Sequence, residues 1–256
     1  MEIESFGTSD RGLVRETNED NFMVDEQEGL FLVADGLGGL PKGDVASSRA
    51  IAIIQDFVAR SRREDVHWPC APCEGLSDEE NRFLAAIQLA NREIFTYFQG
   101  DVKNPIGMGT TLTGMLLDRD EVVIANVGDS RAYQIRDETL VQLTEDHSLV
   151  MEEVKKGHLS VEEARCHPQR HVLTQALGIA ENISIDITTC PVRSGDLYLL
   201  CSDGLTDLVT DEEIRTLLLG GRNRALPSLG ENLIGAAHEK GGLDNVTVVL
   251  VRLMAS

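Results

Sequence analysis

After residue 109 four short β runs follow one another with no helical pattern between them: "TTLTGMLLD", "EVVIANVGD", "RAYQIR" and "TLVQLT". Turn residues separate them, and this spacing predicts an antiparallel meander. Further β-like runs stand near the N-terminus ("IESFGTSD", "NFMVDE", "LFLVAD") and later at "ISIDITTC", "DLYLLCSD" and "NVTVVLVRL". Helical periodicity is confined to its own blocks. Ala46, Ala50, Ile53, Ile54 and Phe57 mark one helix face between Gly43 and Arg62, and Phe83, Ile87, Ala90, Ile94 and Phe98 mark a second. Two more helices are expected over Asp211–Leu219 and Leu229–Lys240. Ser77 with Glu80, and Ser160 with Glu163, have the spacing of capping boxes. Strands and helices in blocks, without strict βαβ alternation, predict an α+β fold of largely antiparallel sheets.

The 256 residues suffice for one substantial core, so a single domain over residues 1–256 is expected. No N-terminal basic head precedes an apolar run, and no apolar segment approaches the roughly 20 residues of a membrane helix. The expected location is the cytoplasm, with no membrane partner. Asp and Glu number 43 against 23 Lys and Arg, a net charge of −20, which disfavours nucleic acid as a partner. Five cysteines fit reduced thiols better than a disulfide framework. Cys70 and Cys73 fall in a proline-rich stretch from Arg63 to Leu76, read as a surface loop.

"LFLVADGLGGLPKGD" carries four glycines from Gly36 to Gly43 between a strand and a helix, an arrangement able to cradle a phosphate. It is not G-x-G-x-x-G, and no Gly-Lys-Ser/Thr follows, so a nucleotide loop is the weaker reading. Acids explain the segment better. Asp35 and Asp203 each end an apolar strand and precede a glycine; Asp129 ends "VVIANVGD", and Asp244 stands just before the last strand. One such Asp is a turn residue. Four at strand ends, inside apolar flanks, would repel one another unless cations lay between them, and oxygen ligands suit Mg²⁺ or Mn²⁺.

"RETNEDNF", "VADGLGG", "GTTLTGMLL", "NVGDSRAY", "LTEDHSL", "LLCSDGLTD" and "GGLDNVTVV" occur in that order across nearly the whole chain. Together they resemble the metal-dependent serine/threonine protein phosphatases of the protein phosphatase 2C type, in the compact form of bacterial members. The resemblance implies a sandwich of two antiparallel sheets flanked by helices on both sides, with a helical flap at about residues 148–176. It implies hydrolysis of phosphoserine and phosphothreonine by a hydroxide bridging two Mg²⁺ or Mn²⁺ ions. Carried over by motif, Asp35 bridges both ions and the Gly36 carbonyl binds one, while Asp203 and Asp244 hold the other. Asp20, with Glu19, orients metal-bound water, and Asp129 with Asp203 offers a third metal position. Arg15 grips the substrate phosphate, a task suited to a planar guanidinium fork.

Many eukaryotic members have a histidine, the proposed general acid, where this chain has Leu37. His147 is a conceivable substitute, alongside water. Lys155, Lys156, His158, Arg165, His167, Arg170 and His171 make the flap basic, able to attract acidic phosphorylated segments. The expected partners are phosphorylated proteins, substrates of a serine/threonine kinase and the kinase itself, acted on by a monomer. A catalytically weak pseudophosphatase that binds phosphoproteins is the alternative; it would normally lack one of the metal-binding acids, and none is missing.

Overall fold

In a computed structural model, which describes residues 1–37, 43–99, 109–221 and 224–255, strand β3 (Leu30–Ala34) sets the pattern of the core. Successive side chains of a strand face opposite ways. Leu30, Leu32 and Ala34 enter an apolar cluster beneath helices α1 (Gly43–Ser61) and α2 (Asp78–Gln99). Phe31 and Val33 enter another cluster, shared with Val249, Val251 and Leu253 of β10 (Val246–Met254), which lies between two sheets. The other face of β10, Val246, Val248 and Leu250, packs beneath α6 (Asp211–Gly220) and α7 (Leu226–Glu239). A strand covered on both sides has to be apolar throughout, which is why these runs hardly alternate in sequence.

One sheet has the order β1 (Glu2–Asp10), β10, β9 (Leu197–Cys201), β6 (Arg131–Arg136), β7 (Thr139–Gln142). The other runs β2 (Asn21–Asp25), β3, β4 (Leu112–Asp118), β5 (Glu121–Val127), β8 (Asp186–Pro191). Every pairing is antiparallel. The expected sandwich, helices outside two antiparallel sheets, is the fold observed.

The helix starts follow the sequence. The Ser77 amide donates to Glu80 Oε2 at 2.7 Å while the Glu80 amide donates to Ser77 Oγ at 3.2 Å, and Ser160 with Glu163 repeats the device. Each box satisfies two amides that no helical carbonyl can reach, worth about 1 kcal/mol. Ala46, Ala50, Ile54 and Phe57 are buried as predicted, with Ile53 at the edge. The side chain of Phe98 lies outside the described residues. The 63–76 stretch is a loop, with Trp68 stacked edge-on against Phe57 at 5.6 Å. Among the described residues no helix is long and apolar enough to cross a membrane.

The meander is not one sheet. β4 and β5 pair in one sheet, but the chain then crosses and β6 and β7 pair in the other. Gly128 turns the corner with φ +113, and a side chain there would strike Thr111 at 2.7 Å. Ala132 to Ile135 are buried, so β6 needs β9 on one side and β7 on the other. Only a residue tolerant of positive φ permits that crossing. It delivers Asp129 to the end of the sandwich where β3, β9 and β10 also place their acids.

Candidate active site

Asp35 follows β3, Asp129 follows β5, and Asp244 precedes β10. Asp203 does not end its strand as expected: β9 ends at Cys201, Ser202 stands at the N-cap and Asp203 opens the four-residue helix α5 (Asp203–Thr206). All four acids reach one cleft of about 630 Å³, together with Arg15, Glu19 and Gly36. Asp20 lies beneath it, buried.

Threonines and an asparagine hold this rim. The Asp35 amide donates to Thr111 Oγ1 at 3.0 Å, and the Asp35 carbonyl accepts from the Thr111 amide and from Thr110 Oγ1, both at 2.8 Å. Thr111 Oγ1 then meets Ser130 Oγ at 2.8 Å, tying the Asp35 turn to the Asp129 turn. Asn245 Nδ2 donates to the carbonyls of Arg11 and Thr17, each at 2.9 Å, and its Oδ1 accepts from the Glu19 amide. The loop carrying Arg15, Glu19 and Asp20 is thereby fastened beside Asp244. Gly36 has no room for a side chain: a Cβ would lie 2.4 Å from the Gly43 carbonyl oxygen and 2.7 Å from that of Glu19. Gly38 and Gly39, the rest of the glycine cluster, lie outside the described residues.

The electrostatics are those of acids without enough cations. Burial, then Asp20, Asp203 and Asp129, pushes the Asp35 carboxyl well above the usual carboxylate range. Burial, then Asp129, Asp207, Asp244 and Asp20, does the same to Asp203. Asp129 is raised to about 7 by burial and by Asp146 and Asp207. Burial raises Asp20 to about 6, although Ser202 Oγ and Thr247 Oγ1 donate to its Oδ2 at 2.8 and 2.6 Å. Oδ1 of Asp20 and Oδ1 of Asp203 are buried with no hydrogen-bond partner among the described residues. An orphaned buried carboxylate oxygen is costly. Among the described residues the one guanidinium bonded to the set is Arg15, whose Nη2 donates to Asp244 Oδ2 at 2.5 Å. Carboxylates with free lone pairs, a nearby carbonyl and no thiolate fit hard divalent cations. Bound cations would reverse the direction of all these shifts.

His147 is not in the cleft. Its Nδ1 accepts from the Gly128 amide at 3.2 Å and its Nε2 faces Asp186 Oδ2 at 3.0 Å. The backbone amide of His147 also donates to the Gly128 carbonyl at 2.9 Å. An Nδ1 that accepts leaves the proton on Nε2, pointed at Asp186, so His147 braces the turn before Asp129 and cannot reach a leaving group.

The basic segment after Ser148 folds as two short helices, α3 (Leu149–Lys155) and α4 (Val161–Arg165). Its charges are mostly answered locally: Lys155 by Glu145 at 3.0 Å, Lys156 and His158 by Glu153 at 2.8 and 2.7 Å, Arg165 by Asp211 at 3.6 Å. Arg170 and His171 alone of the seven line the cleft. His171 Nδ1 stands 3.2 Å from Asp207 Oδ2, and single ligand atoms of His171, Asp203 and Asp207 lie within 4.8 Å of one another. The sequence had pointed to neither Asp207 nor Asn245. Asn245 had a signal, since it follows Asp244 directly in "LDN"; Asp207 had none beyond its place one helical turn after Asp203.

Residues 12–230 match the family model described as protein phosphatase 2C. The chain is 38% identical over 247 residues, 95% of its length and 93% of the relative's, to the serine/threonine phosphatase stp of Listeria monocytogenes. It is similar to the crystal structure of the Mycobacterium tuberculosis serine/threonine phosphatase PstP/Ppp, with TM-score 0.86, 35% identity and 99% of each chain covered. A structure of the PstP catalytic domain in complex with two manganese ions superposes with TM-score 0.83 at 33% identity, again covering 99% of each chain. A family model spanning most of the chain, and relatives this close over nearly all of it, place the protein in the protein phosphatase 2C family.

Proposed function

We propose that this protein hydrolyses phosphoserine and phosphothreonine in proteins, using two divalent cations, Mn²⁺ or Mg²⁺. The observation that carries the reading is the convergence of Asp20, Asp35, Asp129, Asp203 and Asp244 at one rim, with buried carboxylate oxygens that no donor satisfies. Asp35, the Gly36 carbonyl, Asp203 and Asp244 would hold the cations. Asp129 with Asp203 offers a third position, to which Asp207 and His171 are near enough to contribute. When bound, such ions supply Lewis acidity and neutralise charge on the phosphoryl group.

The chain's own residues do the rest. Asp20 and Glu19 accept hydrogen bonds from water and orient it towards phosphorus. Asp20 is itself oriented, since two hydroxyl donors fix its Oδ2 and leave Oδ1 directed away from them. Arg15, at the mouth, offers a planar pair of donors to two phosphate oxygens, which strengthens as charge builds in the transition state. Leu37 lines the cleft and can exclude water but hold no proton. The segment around residues 148–176 would act as a flap whose Arg170 meets acidic, phosphorylated chains. Substrates would be phosphoproteins made by a serine/threonine kinase, the kinase included, acted on in the cytoplasm by the monomer. The pseudophosphatase alternative finds no support in the acid set, which is complete.

A phosphothreonine peptide is the direct test. Release of phosphate should stop with chelator and return with Mn²⁺ or Mg²⁺, and Asp35→Ala should not respond to either metal. Hydrolysis that persists in chelator would remove the metal reading.

A further inference from the structure

Beside the acids, two loops carry an exposed apolar patch that reaches the cleft at Leu243. Among the described residues the three most exposed large apolar side chains are Val14, Leu13 and Leu243, at 63, 62 and 56%. They come from two loops far apart in sequence that touch backbone to backbone. The Leu13 amide donates to the Gly242 carbonyl at 2.8 Å, and a Cβ on Gly12 would lie 2.1 Å from the Asp244 carbonyl oxygen. Leu13 lies over Gly242, whose added Cβ would be 2.9 Å from Leu13 Cγ. The Arg15–Asp244 ion pair bridges the same two loops two residues further along each. Leu243 itself lines the cleft. None of the three belongs to the apolar clusters of the core.

We infer that Leu13, Val14 and Leu243 form a shelf that receives an apolar side chain flanking the phosphorylated residue of a protein substrate. The inference rests on the phosphatase reading. With a phosphoryl group at Arg15, the rest of a bound peptide must leave across the mouth. An extended chain advances about 3.3 Å per residue, so a residue one to three positions from the phosphorylated one crosses these loops. The shelf is continuous with the residues that meet the phosphate, which is why the flanking residue of that substrate is its occupant. Arg170 in the cleft lining offers charge, whereas the shelf offers only apolar area, whose attraction salt does not screen. On an open surface a leucine is partly covered, so its contribution is a fraction of full burial.

The test uses the intact chain with Mn²⁺ and phosphothreonine peptides of equal charge. Serine, leucine or phenylalanine is placed in turn at each of three positions on either side of the phosphothreonine. The wild type should favour leucine or phenylalanine over serine by about three- to tenfold in kcat/KM at one or two positions. That ratio should stay the same at low and high salt. Leu13→Ser and Leu243→Ser should each lower the ratio, and together bring it near one. Because each ratio is taken within one enzyme, a loss of catalytic power or of folded protein cancels. A wild type with no preference overturns the shelf while leaving the phosphatase reading intact, and a preference retained in the double variant assigns it to another surface. No hydrolysis of any peptide would sink the phosphatase reading, and the shelf with it.

Discussion

Strand β9 has an aspartate just beyond each end, and the two ends have opposite designs. Asp196, just before the strand, is 1% exposed. Arg136 Nε and Nη2 donate to its two oxygens at 2.8 and 2.6 Å, and the Arg193 amide adds a third bond at 2.7 Å. Asp203, just after the strand, faces Asp129, Asp207, Asp244 and Asp20, and its Oδ1 has no partner among the described residues. At one end the chain supplies the compensating cation; at the other it leaves the charge to be met from outside. A buried acid is therefore not in itself a sign of function. What distinguishes the two is whether the fold brings a cation to it.

Exchanging the roles of these ends is the strongest way to break the contrast. Asp203→Asn should cut phosphopeptide turnover by on the order of 10³-fold, since the cations lose a charged ligand. It should leave the metal-free melting temperature unchanged or higher, because like charges are relieved. Asp196→Ala should leave the activity of folded enzyme near wild type. It should lower stability by about 3 kcal/mol or more, stranding Arg136 without its acid. Denaturant melts and specific activities of both variants settle it; an active Asp203→Asn or a stable Asp196→Ala inverts the comparison.

A smaller effect separates the ends by pH. Asp20 and Asp129, at about 6 and about 7, sit above the unfolded value, so they take up protons on folding. Their protonated forms contribute stability below about pH 4, and it is lost as pH rises through 6 and 7. The metal-free protein should therefore melt lower at about pH 8 than at about pH 5. Mn²⁺ should erase that slope, because cations then meet the charge. Thermal melts with chelator and with Mn²⁺ measure both, and a metal-free protein that gains stability between those pH values would contradict the cluster's unmet charge.

The smallest effect concerns Arg15, which is bonded to Asp244 of the acid cluster. Arg15→Ala should raise KM for a phosphopeptide roughly tenfold, with kcat falling too if the contact strengthens in the transition state. Arg15→Lys should recover only part, because an ammonium cannot bind two phosphate oxygens in one plane. Kinetics unchanged in both variants would confine Arg15 to an ion pair with Asp244.

Much of this was legible in the chain. The helices appear as a period of 3.6, the strands as short apolar runs between turn residues, and the Ser77 and Ser160 capping boxes as a serine three residues before a glutamate, because those signals are local. The site acids were legible as Asp-Gly and Asp-Asn motifs at strand ends. Other features were not. The β5–β6 crossing into a second sheet, the burial of His147 against Asp186, the neutralised lysines of the 149–178 segment and the joining of Leu13 to Gly242 all depend on which distant residues meet. Arg15 and Asp244 are 229 positions apart. The sequence alone determined which segments are strands and helices and which acids stand at strand ends, since those signals are local. Only the tertiary structure decided which charges go unpaired, because pairing depends on sheet register and loop packing.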